Sequence, residues 1–514
     1  MTGPAAGAPT RLPEPVERFL ARGHGLWIDG RWETPAAART LPVLNPADGS
    51  TLAHVALAEA ADVDRAVASS RRAFDEGTWT RVAPAERSRC LERLADLLEE
   101  HEDTLAVLDT LDNGMPLAQS RGEVRSSAAH LRYYAGWATK IHGETIPVRE
   151  AGRFFVYTRR EPVGVVAAIT AWNFPLDNAT WKLGAPLAAG DCVILKPAEE
   201  TPLSALYLAQ LSREAGFPPG VLNVITGLGE EAGAALSEHP RVDKIAFTGS
   251  TETGRKIVAA SAGNLKRVTL ELGGKSAVIL LDDVAVEEVA PSVLHGVFHN
   301  AGQVCSALSR VLVQRRRYRP FTERVAELAS RIRVGPGLDP DTQMGPLVSE
   351  TQLHRVLGYI DAGRREGAHV LCGGTRPGGP LGNGYFVAPT VFGQVDPGMR
   401  IAQEEIFGPV LGVVPFDTLD EAVALANATP YGLAAGVWTH DLAAAHRLAA
   451  NLRSGTVWVN CDNEFDPAVP FGGYRQSGYG RELGAHALEA YTHVKSVWIS
   501  LAGPGEGSAR PANP

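Results

Sequence analysis

The residue types best suited to covalent chemistry stand in two short motifs, GQVCS and ELGGKS. The first holds Cys305, between a glycine-rich bend and a predicted strand, and a cysteine thiolate is a strong nucleophile. The second holds Glu271 two residues before a pair of glycines, where a carboxylate can act as a general base and backbone can approach a ligand closely. Each residue alone also fits a structural role, as a small buried thiol or a surface carboxylate at a strand end.

Two further motifs have the character of a nucleotide site. In FTGSTETG an apolar strand runs into Gly249 and Gly254, and a helix follows. Free N–H groups and the positive end of a helix attract a pyrophosphate, although a plain strand-to-helix turn has the same pattern. In LKPAEETP, Lys196 and Glu199 follow a strand end, where a carboxylate can bind a ribose diol or simply face solvent.

A pair of histidines offers a third possible chemistry. His295 and His299 stand four residues apart on a predicted helix, a spacing that suits two metal ligands on one face. No glutamate lies between them and the sequence indicates no third ligand, so we expect no metal.

Alternating strands and helices must position these residues. Between residues 160 and 273, strands are predicted in GVVAAIT, DCVILKP, GVLNVITG and DKIAFTG, with helices in PLSALYLAQLSREAG and STETGRKIVAASA. Strands separated by helices of this length pair in parallel through right-handed crossovers, which predicts a doubly wound α/β domain. Such sheets bind ligands at the carboxyl ends of their strands.

A second α/β unit is predicted after Gly274. Its strands are KSAVILLDD and SRVLVQ, its helices are VEEVAPSVLHGVFHNAG and RPFTERVAELASRIR, and Cys305 falls at a helix-to-strand junction. Upstream, leucines at near-helical spacing predict one helix from Pro84 to a stop at Gly114.

Composition limits the class of protein. A chain of 514 residues is too long to fold around a single hydrophobic core, and this length suggests roughly two to four domains. Its net charge of -9 argues against nucleic acid or an anionic membrane as a partner. No apolar run approaches the ~20 residues that span a bilayer, and the first residues lack a secretory-signal pattern. The five cysteines include no CxxC motif, so we expect a reducing, cytoplasmic location.

Eight motifs in one fixed order resemble those of the NAD(P)-dependent aldehyde dehydrogenase superfamily. They are WNFP, KPAE, FTGSTETG, ELGGK, GQVCS, EEIFGPV, YGLAAGV and the pair PFGG with SGYGREL. The resemblance implies oxidation of a small-molecule aldehyde with NAD, and with NADP as the less favoured cofactor. It also implies an α/β fold with a Rossmann-type coenzyme domain, an α/β catalytic domain and a small oligomerisation β-arm, assembled as a homodimer or homotetramer.

The same resemblance implies the catalytic roles. Cys305 forms a thiohemiacetal and then a thioester, and Glu271 activates the water that hydrolyses it. Asn173 in WNFP shares an oxyanion hole with the backbone N–H of Cys305. Glu482 and Lys182 match a polar pair proposed for proton relay. The residues that match cofactor contacts are Trp172, Lys196, Glu199, Thr248, Gly249, Ser250, Glu405 and Phe407. Activation of the thiol stays open between proton transfer to Glu271 and the positive charge of the nicotinamide.

Several residues expected to line the aldehyde tunnel are polar. The substrate residues matched in this way are Phe174, Asp177, Trp181, His299, Glu464, Phe465 and Phe471. Members that oxidise apolar aldehydes carry apolar groups at several such places, and Asp177, Asp462 and Glu464 depart from that pattern. If these carboxylates face the tunnel, with Glu464 on the wall opposite Asp177, they predict a polar or amino aldehyde. If they face solvent, they predict nothing about the substrate.

Two alternative functions compete with hydrolytic oxidation. One is a CoA-acylating semialdehyde dehydrogenase, but that branch usually lacks the base that Glu271 matches. The other is a catalytically silent structural member, which the intact Cys305, Asn173 and Glu271 disfavour.

The resemblance also predicts the domain boundaries. The NAD-binding domain is expected at 21–143 and 163–273, the catalytic domain at 274–476, and the oligomerisation segments at 144–162 and 477–502. A tail strand near 491–501 is expected to pair with the arm. Residues 1–20 and 503–514, rich in Pro, Gly and Ala, are expected to be mobile tails.

Overall fold

The computed structural model describes residues 12–150 and 152–501, in which strands and helices alternate. The strands are β1 (Leu26–Ile28), β2 (Arg31–Glu33), β3 (Thr40–Leu44), β4 (Thr51–Ala56), β5 (Phe154–Pro162), β6 (Val165–Ile169), β7 (Cys192–Lys196), β8 (Leu222–Val224), β9 (Lys244–Thr248), β10 (Arg267–Glu271), β11 (Ala277–Leu280), β12 (Arg310–Gln314), β13 (His369–Cys372), β14 (Thr390–Gly393), β15 (Val410–Phe416), β16 (Ala434–Trp438), β17 (Thr456–Val459), β18 (Gly478–Tyr479) and β19 (Thr492–Ser500). The α-helices are α1 (Glu14–Leu20), α2 (Ala60–Asp75), α3 (Pro84–Glu100), α4 (Glu102–Asn113), α5 (Leu117–Trp137), α6 (Pro175–Ala189), α7 (Leu203–Glu214), α8 (Ala234–Glu238), α9 (Thr251–Ser261), α10 (Val286–Phe298), α11 (Arg315–Ser330), α12 (Glu350–Arg365), α13 (Arg400–Gln403), α14 (Leu419–Ala426), α15 (Leu442–Asn451) and α16 (Ala487–Ala490).

The first large sheet has the order β18-β10-β9-β6-β7-β8-β1-β2, with the run from β10 to β8 parallel. Both faces are buried: Val166 and Ala168 of β6 face one core, while Val165 and Ala167 face the other. The chain winds outward from β6 in both directions, so a topological switch point lies between β6 and β9. Ligands bind at such a point in open α/β sheets.

The second large sheet has the order β13-β14-β15-β12-β11-β16-β17 and is parallel except for β13. Its strands are also buried on both sides. The loop that carries Cys305 enters this sheet at β12, and the loop that carries Glu405 enters it at β15.

A two-stranded ribbon lies apart from both sheets. β5 and β19 pair antiparallel along their whole length, from Phe154 opposite Ser500 to Pro162 opposite Thr492. The predicted pairing of the arm with a tail strand is therefore present, while its role in assembly stays a prediction.

The structure corrects three expectations about the elements. The helix predicted from Pro84 to Gly114 is broken at His101, whose ψ of 19° ends α3 before α4 begins. The tail predicted over 1–20 includes α1, which buries Val16 and Phe19; residues 1–11 and 502–514 lie outside the described residues. β18, predicted within a bridging segment, adds a strand to the first sheet. Across the described ranges, every helix is too short or too polar to cross a bilayer.

Candidate active site

Cys305 lies in the loop between α10 and β12, where the backbone adopts an unusual conformation. Asn300 and Gly302 have φ angles of 45° and 74°, and the residue between them has 54°. Non-glycine residues avoid this region, so the surroundings must hold the loop. The Asn300 side-chain amide donates to the Asn173 carbonyl oxygen over 2.6 Å. Gly274 lies against the same loop, because a Cβ there would stand 2.4 Å from the Cys305 carbonyl oxygen.

The surroundings of the Cys305 thiol disfavour its ionised form. Burial, and after it the carboxylates of Glu271 and Glu405, raise the pKa of the thiol to about 12. The side chain packs against a small apolar cluster formed by Leu433, Phe471 and Leu483, which Trp181 also joins. At neutral pH the sulfur therefore carries its proton, and it needs a base or a positive charge in order to react.

Asn173 presents an oriented amide beside the thiol loop. It is only 3% exposed and follows β6 at the switch point. The Asn178 side-chain amide donates to Asn173 Oδ1 over 3.2 Å, and Asn173 Nδ2 donates to the Gln303 carbonyl oxygen over 3.1 Å. These bonds turn the nitrogen toward the Cys305 loop. Because a primary amide has two N–H groups, one remains to donate to an oxygen bound near Cys305.

Two glutamates and a lysine form a buried charged group. Glu271 ends β10 and is 5% exposed; Glu482 is 3% exposed and pairs with the fully buried Lys182 of α6. One oxygen of each glutamate has no hydrogen-bond partner among the described residues. Burial, and next the charge of Glu482, raise the pKa of Glu271 well above its ordinary value, while Lys182 opposes the rise. A free oxygen and a raised pKa suit a base that takes a proton from a thiol or from water.

A glycine makes room for this base. A Cβ at Gly472 would lie 2.8 Å from Glu271 Oε1. Sequence reasoning did not assign Gly472, although it belongs to the PFGG motif.

Two cavities meet at these residues. One has a volume of about 950 Å³ and the other of about 700 Å³. The side chains that line both are Asn173, Thr248, Glu271 and Cys305. Molecules bound in the two cavities would therefore meet at the sulfur of Cys305.

The smaller cavity contains most of the residues predicted to bind the cofactor. It is lined by Trp172, Thr248, Gly249, Ser250, Glu405 and Phe407. Ser250 caps α9 by accepting a hydrogen bond from the Thr253 N–H over 3.1 Å, which places the positive end of the helix at the cavity. Thr248 Oγ1 is buried without a hydrogen-bond partner in the described part of the chain.

These groups fit a dinucleotide. A helix N-terminus suits the pyrophosphate, and the Glu405 carboxylate, which accepts from the Gly274 N–H over 2.9 Å, suits a ribose hydroxyl. The rings of Trp172 and Phe407 meet edge to face with centroids 5.2 Å apart and form an aromatic wall.

Lys196 and Glu199 lie at the end of β7, the strand beside β6. Neither lines the smaller cavity itself. Lys196 Nζ donates to Glu199 Oε2 over 3.2 Å, and the Gly229 N–H donates to Glu199 Oε1 over 3.3 Å. Burial works to raise the pKa of Glu199, but Lys196 and the backbone donors outweigh it and the pKa is lowered. A charged acceptor therefore stands at this edge of the sheet.

The larger cavity is lined by most of the residues predicted to contact the substrate. They are Phe174, Asp177, Trp181, His299, Phe465 and Phe471. Glu464 is exposed and does not line the cavity, so the prediction that it forms the wall opposite Asp177 is wrong. The physical reason is a turn at Asn463, with φ of 54°, which directs Asn463 and Phe465 into the cavity instead.

Asp462 takes a structural position. It is 7% exposed and accepts hydrogen bonds from Trp438 Nε1 and from Ser292 Oγ, each over 3.1 Å. It therefore faces neither the cavity nor solvent.

Sequence reasoning missed a carboxylate in this cavity. Glu123 of α5 lines it, and its Oε1 lies 3.9 Å from His299 Nε2. No motif surrounds Glu123, so nothing in the local sequence indicated a role. His295, considered above as half of a metal pair, lines the same cavity and meets the His299 ring edge to face at 5.4 Å.

The chain is similar to known proteins in both sequence and structure. A model of the aldehyde dehydrogenase family matches residues 32–497. The chain is 54% identical over 487 residues to DhaS of Bacillus subtilis, covering 95% of this chain and 97% of that one. It is 49% identical over 501 residues to the mitochondrial aldehyde dehydrogenase of Homo sapiens, covering 97% and 96%.

Solved structures agree with the sequences. The NAD⁺ complex of an aldehyde dehydrogenase from Bacillus cereus is 48% identical, with a TM-score of 0.94 over 96% of this chain and 99% of that one. A betaine aldehyde dehydrogenase from Staphylococcus aureus, in complex with NAD⁺, is 39% identical, with a TM-score of 0.92 over 94% and 95%.

Proposed function

The chain belongs to the aldehyde dehydrogenase family, and we propose that it oxidises an aldehyde to a carboxylic acid through an intermediate bound covalently to Cys305. NAD is the cofactor of this enzyme class and of its structural neighbours. The observation that carries the proposal is the position of Cys305, with Asn173 and Glu271, at the boundary shared by the two cavities.

The reaction begins at the sulfur. Cys305 loses its proton to Glu271, and the thiolate attacks the aldehyde carbon to form a thiohemiacetal. The negative charge that develops on the aldehyde oxygen is stabilised by the free N–H of the Asn173 amide and by the backbone N–H of Cys305. Both donors are fixed before the substrate arrives, so little reorganisation is needed.

The smaller cavity would hold NAD through the N-terminus of α9, Glu405 and the aromatic wall, with Lys196 and Glu199 at the adenosine end. When bound, NAD supplies the acceptor for the hydride that leaves the substrate carbon. What remains on Cys305 is a thioester.

Hydrolysis of the thioester completes the cycle. Glu271 first releases to solvent the proton that it took from Cys305. It then takes a proton from water, and the resulting hydroxide attacks the thioester carbon while the sulfur leaves as a thiolate. Glu482, which pairs with the buried Lys182, lines the same cavity and gives Glu271 a charged neighbour with which a proton can be exchanged. Glu271 is therefore the residue that makes water, rather than CoA, the acceptor of the acyl group.

Substrate selection belongs to the larger cavity, and its carboxylates favour a polar or amino aldehyde. Relatives act on different aldehydes, as the betaine aldehyde dehydrogenase illustrates by its name, so the family alone does not fix the substrate.

One assay tests the function. NADH formation is followed with purified protein, NAD and a panel of aldehydes, with and without CoA. Turnover without CoA supports the proposal. A strict need for CoA would indicate the acylating alternative, and no NADH from any aldehyde would indicate a catalytically silent member.

A further inference from the structure

The larger cavity has an unusual balance of charge. Among the described residues that line it are the carboxylates of Glu123, Asp177, Glu271 and Glu482, and none of them is lysine or arginine. Glu271 and Glu482 have been assigned to catalysis and to the Lys182 pair. Glu123 and Asp177 line this cavity and not the smaller one, and in the described ranges the ion-pair partners that they have are histidines.

Glu123 and Asp177 come from two packed helices and share one part of the cavity wall. Asp177 lies in the first turn of α6 and is 8% exposed. Its Oδ1 lies 3.1 Å from His130 Nδ1 and accepts from Ser127 Oγ over 3.3 Å. Glu123 lies on α5 with its side chain 19% exposed. Both carboxylates are held on regular elements, which fixes their positions better than a loop would.

The histidine beside Glu123 does not neutralise that carboxylate. His299 Nε2 lies 3.9 Å from Glu123 Oε1, and burial lowers the pKa of His299 to about 4, so its ring is neutral at neutral pH. His130 lies beside Asp177 and is 1% exposed. The pKa of Glu123 is raised well above its ordinary value, first by burial and next by the charge of Asp177. Two carboxylates that repel each other in a cavity without a fixed cation would gain from a cationic ligand.

We propose that Glu123 and Asp177 form a subsite for the protonated amine of an aminoaldehyde whose aldehyde carbon lies at Cys305. The inference rests on the proposed function and assigns the specificity to α5 and α6 rather than to the loop of Glu464. The aromatic side chains between these ends, among them Phe174, Trp181 and Phe465, suit the methylene chain. A primary ammonium fits better than an alkyl terminus because it can donate hydrogen bonds to carboxylate oxygens.

The test compares matched substrates in one enzyme. kcat/KM is measured with NAD for 3-aminopropanal against butanal and for 6-aminohexanal against heptanal, since each pair has equal length. The wild type is expected to favour at least one aminoaldehyde by roughly 5- to 30-fold over its partner. Glu123→Gln and Asp177→Asn should each bring that ratio close to one, because each variant lowers kcat/KM for the aminoaldehyde more than for the alkyl aldehyde. Because both kcat/KM values in the ratio come from the same variant, a partial loss of folded protein lowers both equally and does not change the ratio.

Glu464→Gln is the matched control. It removes the same charge from a nearby exposed carboxylate that does not line the cavity, and it should leave the ratio unchanged. The subsite is ruled out if the wild type favours the alkyl aldehyde at both lengths, if Glu123→Gln keeps the amine preference, or if Glu464→Gln lowers it equally. Each of these results leaves the proposed oxidation of aldehydes at Cys305 intact, whereas an absence of NADH with every aldehyde overturns that activity itself.

Discussion

Burial makes both side chains that we propose to react, those of Cys305 and Glu271, hard to ionise. It raises the pKa of the Cys305 thiol to about 12 and the pKa of Glu271 well above that of an ordinary glutamate. The raised pKa of Glu271 partly compensates for the raised pKa of Cys305. A carboxylate with a higher pKa is a stronger base, and the difference between the two pKa values becomes smaller. The same desolvation strengthens the hydrogen bonds that stabilise an oxyanion.

Cys305→Ser tests the nucleophile. The hydroxyl is a much weaker acid than the thiol, so we expect dehydrogenase turnover to fall by at least about 1000-fold. NAD affinity, measured by calorimetric titration, and thermal stability should remain close to those of the wild type. Cys461→Ser is the matched control, since Cys461 is partly buried but lies outside both cavities, and its activity should be retained. Substantial turnover by Cys305→Ser would remove Cys305 from the mechanism.

Glu271→Gln tests the base. The amide has the same shape but cannot take a proton, so the thioester should form and persist. We expect a burst of about one equivalent of NADH per active site, followed by turnover roughly 100- to 10,000-fold slower than in the wild type. Intact-mass measurement after the burst should show the acyl group on the protein. Steady turnover near the wild-type rate would mean that another group activates the water.

At the level of elements, residues at strand ends and within recognised motifs could be predicted from the sequence, whereas Glu123, within a helix and outside any motif, could not. Thr248 and Glu271 are the last residues of parallel strands, and α/β sheets bind ligands at strand ends. The motif and the position of each residue therefore indicated the same ligand-binding role. Glu123 lies in the middle of α5, and only the packing of α5 against α6 brings it to the cavity. The break at His101 was missed for a related reason, because the leucine spacing continues through it.

Glu199 at the end of β7 is expected to select NAD over NADP. Its lowered pKa keeps it charged, and the charge would repel a 2′-phosphate. We expect kcat/KM with NAD to exceed that with NADP by at least about 10-fold, and Glu199→Gln to shrink this ratio. Glu230→Gln is a suitable control, because Glu230 is exposed beside Gly229 and should not affect the ratio. A wild type that prefers NADP would contradict the assignment.

On the scale of the whole molecule, contacts within one chain do not account for the stability and the apolar surface of the ribbon formed by β5 and β19. An isolated two-stranded ribbon is marginally stable in water. This ribbon also exposes large apolar side chains: Phe155 at 44%, Val494 at 60%, Trp498 at 59% and Ile499 at 43%. A surface of this kind is expected to be covered by a second copy of the chain.

Assembly can be tested on the ribbon directly. The wild type should have a solution mass of two or four times 54.6 kDa in light scattering. The double variant Val494→Glu and Trp498→Glu places charges on the ribbon, so we expect it to shift toward smaller species and to melt at a lower temperature. Leu442→Glu alters an apolar residue on α15 that is 73% exposed, and it should leave the mass unchanged. A wild-type monomer would contradict the expected assembly.

The pairing of β10 with β18 has a consequence for the order of events during synthesis. β10 ends in Glu271, and its outer neighbour contributes Gly478 opposite that residue. A ribosome adds about 5–20 residues per second, so roughly 10–40 s separate the emergence of these two partners. During that interval the nascent chain has already made Cys305 but lacks both Glu482 and the strand that covers this sheet edge. An uncovered edge strand can pair with other chains. A pause in translation before β18 is made would therefore leave the nascent protein inactive and prone to aggregate. The active site is complete only after the last strands have been synthesised.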